Sequence, residues 1–205
     1  MAETFAEVAL SEFLEELSSK NPTPGGGAVC AYVASLGAAL NEMVSEYTIG
    51  KKKYSGVEAE VVELLEVSKN IRTELFRLAD ADAEAYGSLS AAYGMPKDSL
   101  ERADSIESEL KNAAEVPISV MRLCEEVMKI SERLCEIGNK NLLSDAGCAA
   151  EMCLAAVKAS FLNVLVNTKG MRDRALAMSL ENEASGIVDR CVVYEQNVYQ
   201  SLIKK

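Results

Sequence analysis

One aspartate stands where the pattern of the chain calls for leucine. Leu64, Ile71, Leu75, Leu78 and Leu89 step along the sequence by about 3.5 residues, the spacing of a helix's buried seam. Continued from Leu78, that spacing reaches Asp82 and then Ala85, while Asp80 and Glu84 fall with Thr73 and Arg77 on the outward face. A carboxylate taken out of water without a partner is costly and its pKa rises. A carboxyl group that titrates near neutrality is the proton carrier a general acid/base reaction needs. The same pattern also fits a structural aspartate satisfied by a helix cap or an arginine, or one at an unfilled end of the seam.

Three further groups carry chemistry. Asp145, Ala149, Met152, Ala156, Ser160, Asn163 and Asn167 recur every three or four residues and so share one helix side. Asn163 and Asn167 offer donors and acceptors one turn apart, which suits the edge of a flat heteroaromatic ligand or, alternatively, a close contact between helices. Pro22-Thr23-Pro24-Gly25-Gly26-Gly27 precedes a helix rich in alanine and serine. Glycines that open a helix expose backbone N–H groups to an anion, although neither a P-loop nor a dinucleotide fingerprint is present. The alternative is a tight entry that lets the helix pack closely on a partner. Lys51-Lys52-Lys53 is a basic run that suits a multiply anionic tail, or else a solvated corner at a helix C-terminus.

Composition removes other chemistries. The 205 residues include no histidine, which excludes Ser-His-Asp and Cys-His catalysis and histidine-liganded zinc. A net charge of −11, no Trp, and only 7 Tyr and 4 Phe argue against a nucleic-acid or anionic-membrane partner. Cys30, Cys124, Cys135, Cys148, Cys153 and Cys191 never form a C-x-x-C pair, and no metal site is expected. Most lie in apolar helical runs and read as reduced core residues. Met1–Glu7 is acidic without an apolar signal core. The longest uncharged stretch, Asn21–Asn41, opens on Pro and Gly. Its apolar part falls short of the roughly 20 residues of a membrane span. A cytoplasmic protein is expected.

The elements that must position these residues are helices. Pro and Gly punctuate long stretches rich in Ala, Leu, Glu, Lys and Met, with no period-2 alternation of β-branched residues. Helices are expected near Phe5–Ser18, Ala28–Thr48, Val57–Tyr93, Asp98–Ile137 (kinked at Pro117), Ser144–Thr168 and Arg172–Ile203. The fold class is all-α: a single domain over 1–205, about six helices in an up-and-down bundle, neighbours largely antiparallel.

Several segments, in this order and spacing, carry a resemblance: the Pro22–Gly27 loop, Thr48-Ile49-Gly50-Lys51-Lys52-Lys53-Tyr54, Asp82-Ala83-Glu84-Ala85-Tyr86, the Tyr93-Gly94-Met95-Pro96-Lys97 turn, Gly138-Asn139 with Ser144-Asp145-Ala146-Gly147, and Asn163-Val164-Leu165-Val166-Asn167. Over nearly its whole length the sequence resembles the cyclodeaminase/cyclohydrolase family of tetrahydrofolate enzymes. The resemblance implies a helical homodimer, with the cleft near its interface, acting on one-carbon derivatives of tetrahydrofolate. No metal or cofactor beyond that substrate is implied. One branch adds water to the 5,10-methenyl carbon and opens the ring to 10-formyltetrahydrofolate. The other closes N10 onto a 5-formimino carbon and expels ammonia. On this reading Asp82 carries the proton, and Asn163, Asn167 and Asp145 read the pterin edge. Lys51, Lys52 and Lys53 meet the glutamate tail, and Gly25, Gly26, Gly27 and Asn139 complete the substrate contacts. The lone domain and the Thr48–Tyr54 and Tyr93-Gly94 segments look closer to the cyclohydrolase branch. A non-catalytic helical folate-binding or scaffold protein is the alternative; it requires Asp82 paired and dry, with no cavity beside it.

Overall fold

Pro22, Pro24, Pro96, Gly138 and Gly170 fall where helices end, while Pro117 lies inside one. The computed structural model describes Thr4 and residues 8–203, so the expected start at Phe5 and the reading of Met1–Glu7 lie largely outside the described residues. Six α-helices follow one another: α1 Leu10–Leu17, α2 Gly26–Glu46, α3 Glu58–Gly94, α4 Arg102–Ile137, α5 Leu143–Lys169 and α6 Arg174–Ile203. Short 3₁₀ turns at Lys52–Tyr54 and Lys140–Leu142 join α2 to α3 and α4 to α5. No strand occurs among the described residues. Because the connections are short, α2 to α6 alternate in direction. Helix α2 packs on α3 and α5, α4 packs behind them on α3, α5 and α6, and α6 lies along α5.

The small-residue face of α2 is the pivot of the packing. Ala28, Ala31, Ala34 and Ala38 are wholly buried within the chain. A side chain at Gly37 would meet the Cys153 thiol at 2.8 Å and the Ala149 carbonyl at 3.1 Å, so α2 and α5 touch nearly backbone to backbone. That face fills this chain's own core; it is not the surface a second copy would contact. The core proper adds Leu75, Ile118, Met121, Met128, Leu134 and Ile187, all below 2% exposed. Glu125, 8% exposed, joins α4 to α6 by accepting from Arg190 Nε at 2.7 Å and Nη2 at 3.0 Å.

One expectation changes and one is met in most of its members. Helices α2 and Lys140–Lys169 are long and apolar enough to cross a membrane by length and composition, which the Asn21–Asn41 estimate missed; about half of each apolar window is buried in the bundle. The cysteines are free, five of them buried, but Cys148 is exposed.

Candidate active site

The deepest line of α3 runs through Val61, Leu65, Ser68, Ile71, Leu75 and Ala79, so Leu64 and Leu78 sit at its edge rather than its centre. Asp82 is the next step of that line, and only half-buried. Antiparallel packing sets it against the first turn of α2. That helix begins on Gly25 with no side-chain cap of its own. Asp82 supplies the cap from another helix: its Oδ2 accepts from the Ala28 amide at 3.1 Å. Burial pushes the Asp82 pKa above the ordinary carboxylate value, and the Ala28 hydrogen bond opposes that rise. The capping role and the proton-carrying role are therefore compatible in one side chain, with Oδ2 on the helix and Oδ1 left over.

The three glycines divide by what they face. A Cβ on Gly27 would overlap the whole Asp82 carboxylate, one on Gly26 would meet the Asn163 amide at 3.8 Å, and one on Gly25 would meet nothing within 4 Å. None of the three has a positive φ. Gly27 is thus glycine because a carboxylate occupies the space of its side chain.

Asn167 has a local cause. Pro117 lies inside α4 and has no N–H for the carbonyl four residues back, Ala113. Asn167 Nδ2 donates to that carbonyl at 2.8 Å, repairing the ladder from α5. Asn163 Nδ2 donates to Ala159 O at 3.2 Å and points at the Cys30 sulfur, 4.0 Å away. Cys30 lies beneath the site, its thiol pKa raised by burial and further by the Asp82 charge. Both asparagine Oδ1 atoms remain as acceptors.

These groups line one cleft of about 340 Å³, formed by Pro22, Thr23, Gly25–Gly27, Asp82, Ala85, Tyr86, Leu89, Ala113, Asn163, Val166 and Asn167. Sequence reasoning singled out Asp82, the glycines and the two asparagines, and missed Tyr86, Leu89 and Val166, which no polar pattern marks. Asp82 is the only ionisable carboxylate in the lining, and no Lys or Arg belongs to it. Among the described residues, no group of three His, Cys, Asp or Glu is placed to hold a metal.

The remaining candidates sit elsewhere. Asp145 precedes Asn163 by 18 residues of one helix, about 27 Å at 1.5 Å per residue, so it cannot share the cleft within one chain. Lys51, Lys52 and Lys53 are exposed beyond the C-terminus of α2, the far end of a helix about 31 Å long. Lys51 lies 5.6 Å from the Tyr47 ring and Lys53 5.3 Å from that of Tyr54. Asn139 is 4% exposed. Its backbone N–H donates to Thr48 Oγ1 at 2.9 Å, its Nδ2 to Tyr47 O at 2.9 Å, and its Oδ1 accepts from Asn141 N at 3.2 Å. It ties the end of α2 to the α4–α5 turn, and its amide is engaged inside the chain.

Comparison with known proteins gives this geometry its context. Residues 9–186 match the formiminotransferase-cyclodeaminase family. The chain belongs to that family. It is similar to the methenyltetrahydrofolate cyclohydrolase of Methylorubrum extorquens, 40% identical over 96% of both chains. It is also similar to the rat formimidoyltransferase-cyclodeaminase, 28% identical over 98% of this chain but only 38% of that longer protein. Among solved structures, the formiminotetrahydrofolate cyclodeaminase of Thermotoga maritima superposes with a TM-score of 0.91, at 35% identity, covering 97% of this chain and 98% of that one.

Proposed function

We propose that this family member is a methenyltetrahydrofolate cyclohydrolase of the cytoplasm, working as a homodimer and with Asp82 as its proton carrier. The observation that carries the reading is a cleft whose single carboxylate, raised in pKa by burial, stands at a helix N-terminus with one oxygen free. The 5,10-methenyl bridge is a cationic amidinium, and a lining with one carboxylate and no cation suits it. As water attacks the bridge carbon, Asp82 takes one of its protons, leaving a tetrahedral carbon that bears a hydroxyl between N5 and N10. Asp82 then returns that proton to N5 as the C–N5 bond breaks, and the hydroxyl proton is released as the formyl C=O forms. Water thus gives one proton to N5 and one to solvent. The Asn163 and Asn167 acceptors meet the N–H edge of the pterin, and Tyr86, Leu89 and Val166 supply apolar wall.

The likeness to the Thermotoga cyclodeaminase favours a second reading, formiminotetrahydrofolate cyclodeaminase. There Asp82 would take the N10 proton during ring closure and give one to departing ammonia. The folate-binding or scaffold alternative needs a dry, paired Asp82, and the cleft beside it speaks against that. The test runs two assays side by side: absorbance loss of 5,10-methenyltetrahydrofolate and conversion of 5-formiminotetrahydrofolate. Asp82→Asn should lower kcat on the preferred substrate by about 10²–10⁴, with Asp80→Asn as the control. A well-folded Asp82→Asn protein with parental kcat would show that Asp82 is only a helix cap.

A further inference from the structure

The two asparagines of the cleft are held in different ways, and the difference traces to a residue outside the lining. Asn163 Nδ2 donates to Ala159 O on its own helix at 3.2 Å, with the Cys30 sulfur 4.0 Å away. Asn167 finds its partner on α4, where Nδ2 donates to Ala113 O at 2.8 Å. A backbone carbonyl only accepts, so it decides which end of an amide turns toward it. Both amides are therefore fixed with nitrogen on the protein and Oδ1 as the open end. For Asn167 the cause is Pro117, buried inside α4, which offers the Ala113 carbonyl no N–H.

Asp82 adds a third open oxygen, since Oδ2 takes the Ala28 amide and Oδ1 is left. No Lys or Arg lines the cleft, and the hydroxyls of Thr23 and Tyr86 rotate to suit either partner. Asn163 and Asn167 are one helical turn apart, about 5–6 Å between Cβ atoms, so two carbonyls stand side by side. Such a pair suits a ring edge with two N–H donors. A reduced pterin has that edge, its 2-amino group and N8–H lying on either side of N1. In the oxidised ring N8 is an acceptor, and its lone pair would face an asparagine oxygen. We infer that Pro117 is a positioning residue that sets the cleft's selectivity for the oxidation state of the ring: by leaving the Ala113 carbonyl unpaired it turns Asn167 oxygen-outward, and the two asparagine carbonyls then favour a reduced pterin over an oxidised one. This rests on the folate reading above and extends it, because it assigns ligand selectivity to a side chain that touches no ligand. With an N–H at position 117 the helix ladder would claim the Ala113 carbonyl, and the Asn167 amide would be free to present its nitrogen instead.

The test compares Kd for 5-formyltetrahydrofolate, whose ring is reduced, with Kd for folic acid, whose ring is oxidised. The parent should prefer the reduced ligand by roughly tenfold or more. Pro117→Ala should cut that preference by roughly fivefold or more, weakening the reduced ligand and strengthening the oxidised one. Equal weakening of both ligands, or an unchanged preference, overturns the inference. Asn167→Ala should lower the preference in the parent and leave it unmoved in the Pro117→Ala background; equal effects in both backgrounds also overturn it. A second readout needs no folded Pro117 variant. When 5-formyltetrahydrofolate binds the parent, the Asn167 side-chain carbonyl carbon should shift in the NMR spectrum while its amide protons, held by Ala113, stay in place. Amide protons that shift instead mean that the nitrogen faces the ligand, against the inference. A parent that binds neither ligand and turns over neither folate substrate refutes the folate reading, and the selectivity falls with it. A parent that binds or turns over folates without discriminating between ring oxidation states refutes the selectivity alone.

Discussion

Gly27→Ala concentrates the reasoning about the active site in one methyl group. The new Cβ would occupy the position of the Asp82 carboxylate, and the backbone of α2 is pinned there by close contact with α5. The side chain must therefore swing away, releasing the Ala28 amide it now caps at 3.1 Å. Overpacking costs about 1–3 kcal/mol and loss of an N-cap about 0.5–2 kcal/mol. Alanine's better helix propensity returns about 0.5–1 kcal/mol. The balance is a loss of about 1–4 kcal/mol, which at this chain length lowers Tm by about 2–4 °C per kcal/mol. Displacing the proton carrier by an ångström should in addition cost about 10² in kcat. Gly26→Ala is the matched control, since its methyl meets Asn163 at an ordinary 3.8 Å. It should hold or raise Tm by up to about 1 kcal/mol equivalent. Thermal melts and turnover on both folates decide it. A Gly27→Ala protein with the Tm and kcat of the parent would refute the claim that the carboxylate's position explains the glycine.

Other outcomes follow from the same contacts. Asn167→Ala should destabilise by about 1–3 kcal/mol, because it strands the Ala113 carbonyl. In a Pro117→Ala background, where a backbone N–H returns, that cost should shrink, and equal costs in both backgrounds would remove the repair role. Asp82 has a folded pKa above its unfolded one, so its contribution to stability is full below the unfolded pKa and lost as pH rises through the folded pKa. Asp82→Asn should therefore raise Tm at pH 7, with the gain fading as the parent's acid protonates at low pH; chemical denaturation across pH 4–8 measures this. Glu125 is shifted the other way, held low by the Arg190 hydrogen bonds and Lys129. Glu125→Gln should cost about 1–3 kcal/mol at pH 7, and that difference should vanish as pH falls through the depressed folded pKa. A pH-independent difference would mean packing, not charge, holds α4 to α6.

Much of the fold was legible because proline and glycine mark helix ends without help from tertiary contacts. Asp82 was legible because a carboxylate on a buried seam breaks a local pattern. What could not be read was which faces of separate helices meet. The small residues after the Pro22–Gly27 loop suit close packing on a partner, and α5 of the same chain approaches closely enough to bury them. Asp145 shares a helix side with Asn163, but a side is a line along the axis, and 18 residues of that line separate the two. Asn139 looked like a ligand-binding amide, and only the return of the α4–α5 turn to the end of α2 shows it engaged internally. The role of Asn167 was in principle readable from Pro117, since proline orphans the carbonyl four residues before it.

The close contact of α2 with α5 also fixes what kinds of inherited change the chain can absorb. A residue inserted between Ala28 and Ala34 would turn everything after it by about 100° and shift it by about 1.5 Å. Ala34, Gly37 and Ala38 would leave the contact that only small residues fit. Helix α2 therefore acts as a gauge of fixed length, closed to insertion or deletion. Length variation among relatives should collect in the segments before Gly25 and between Gly50 and Val57, and an alignment rich in gaps across α2 would contradict the packing described for it.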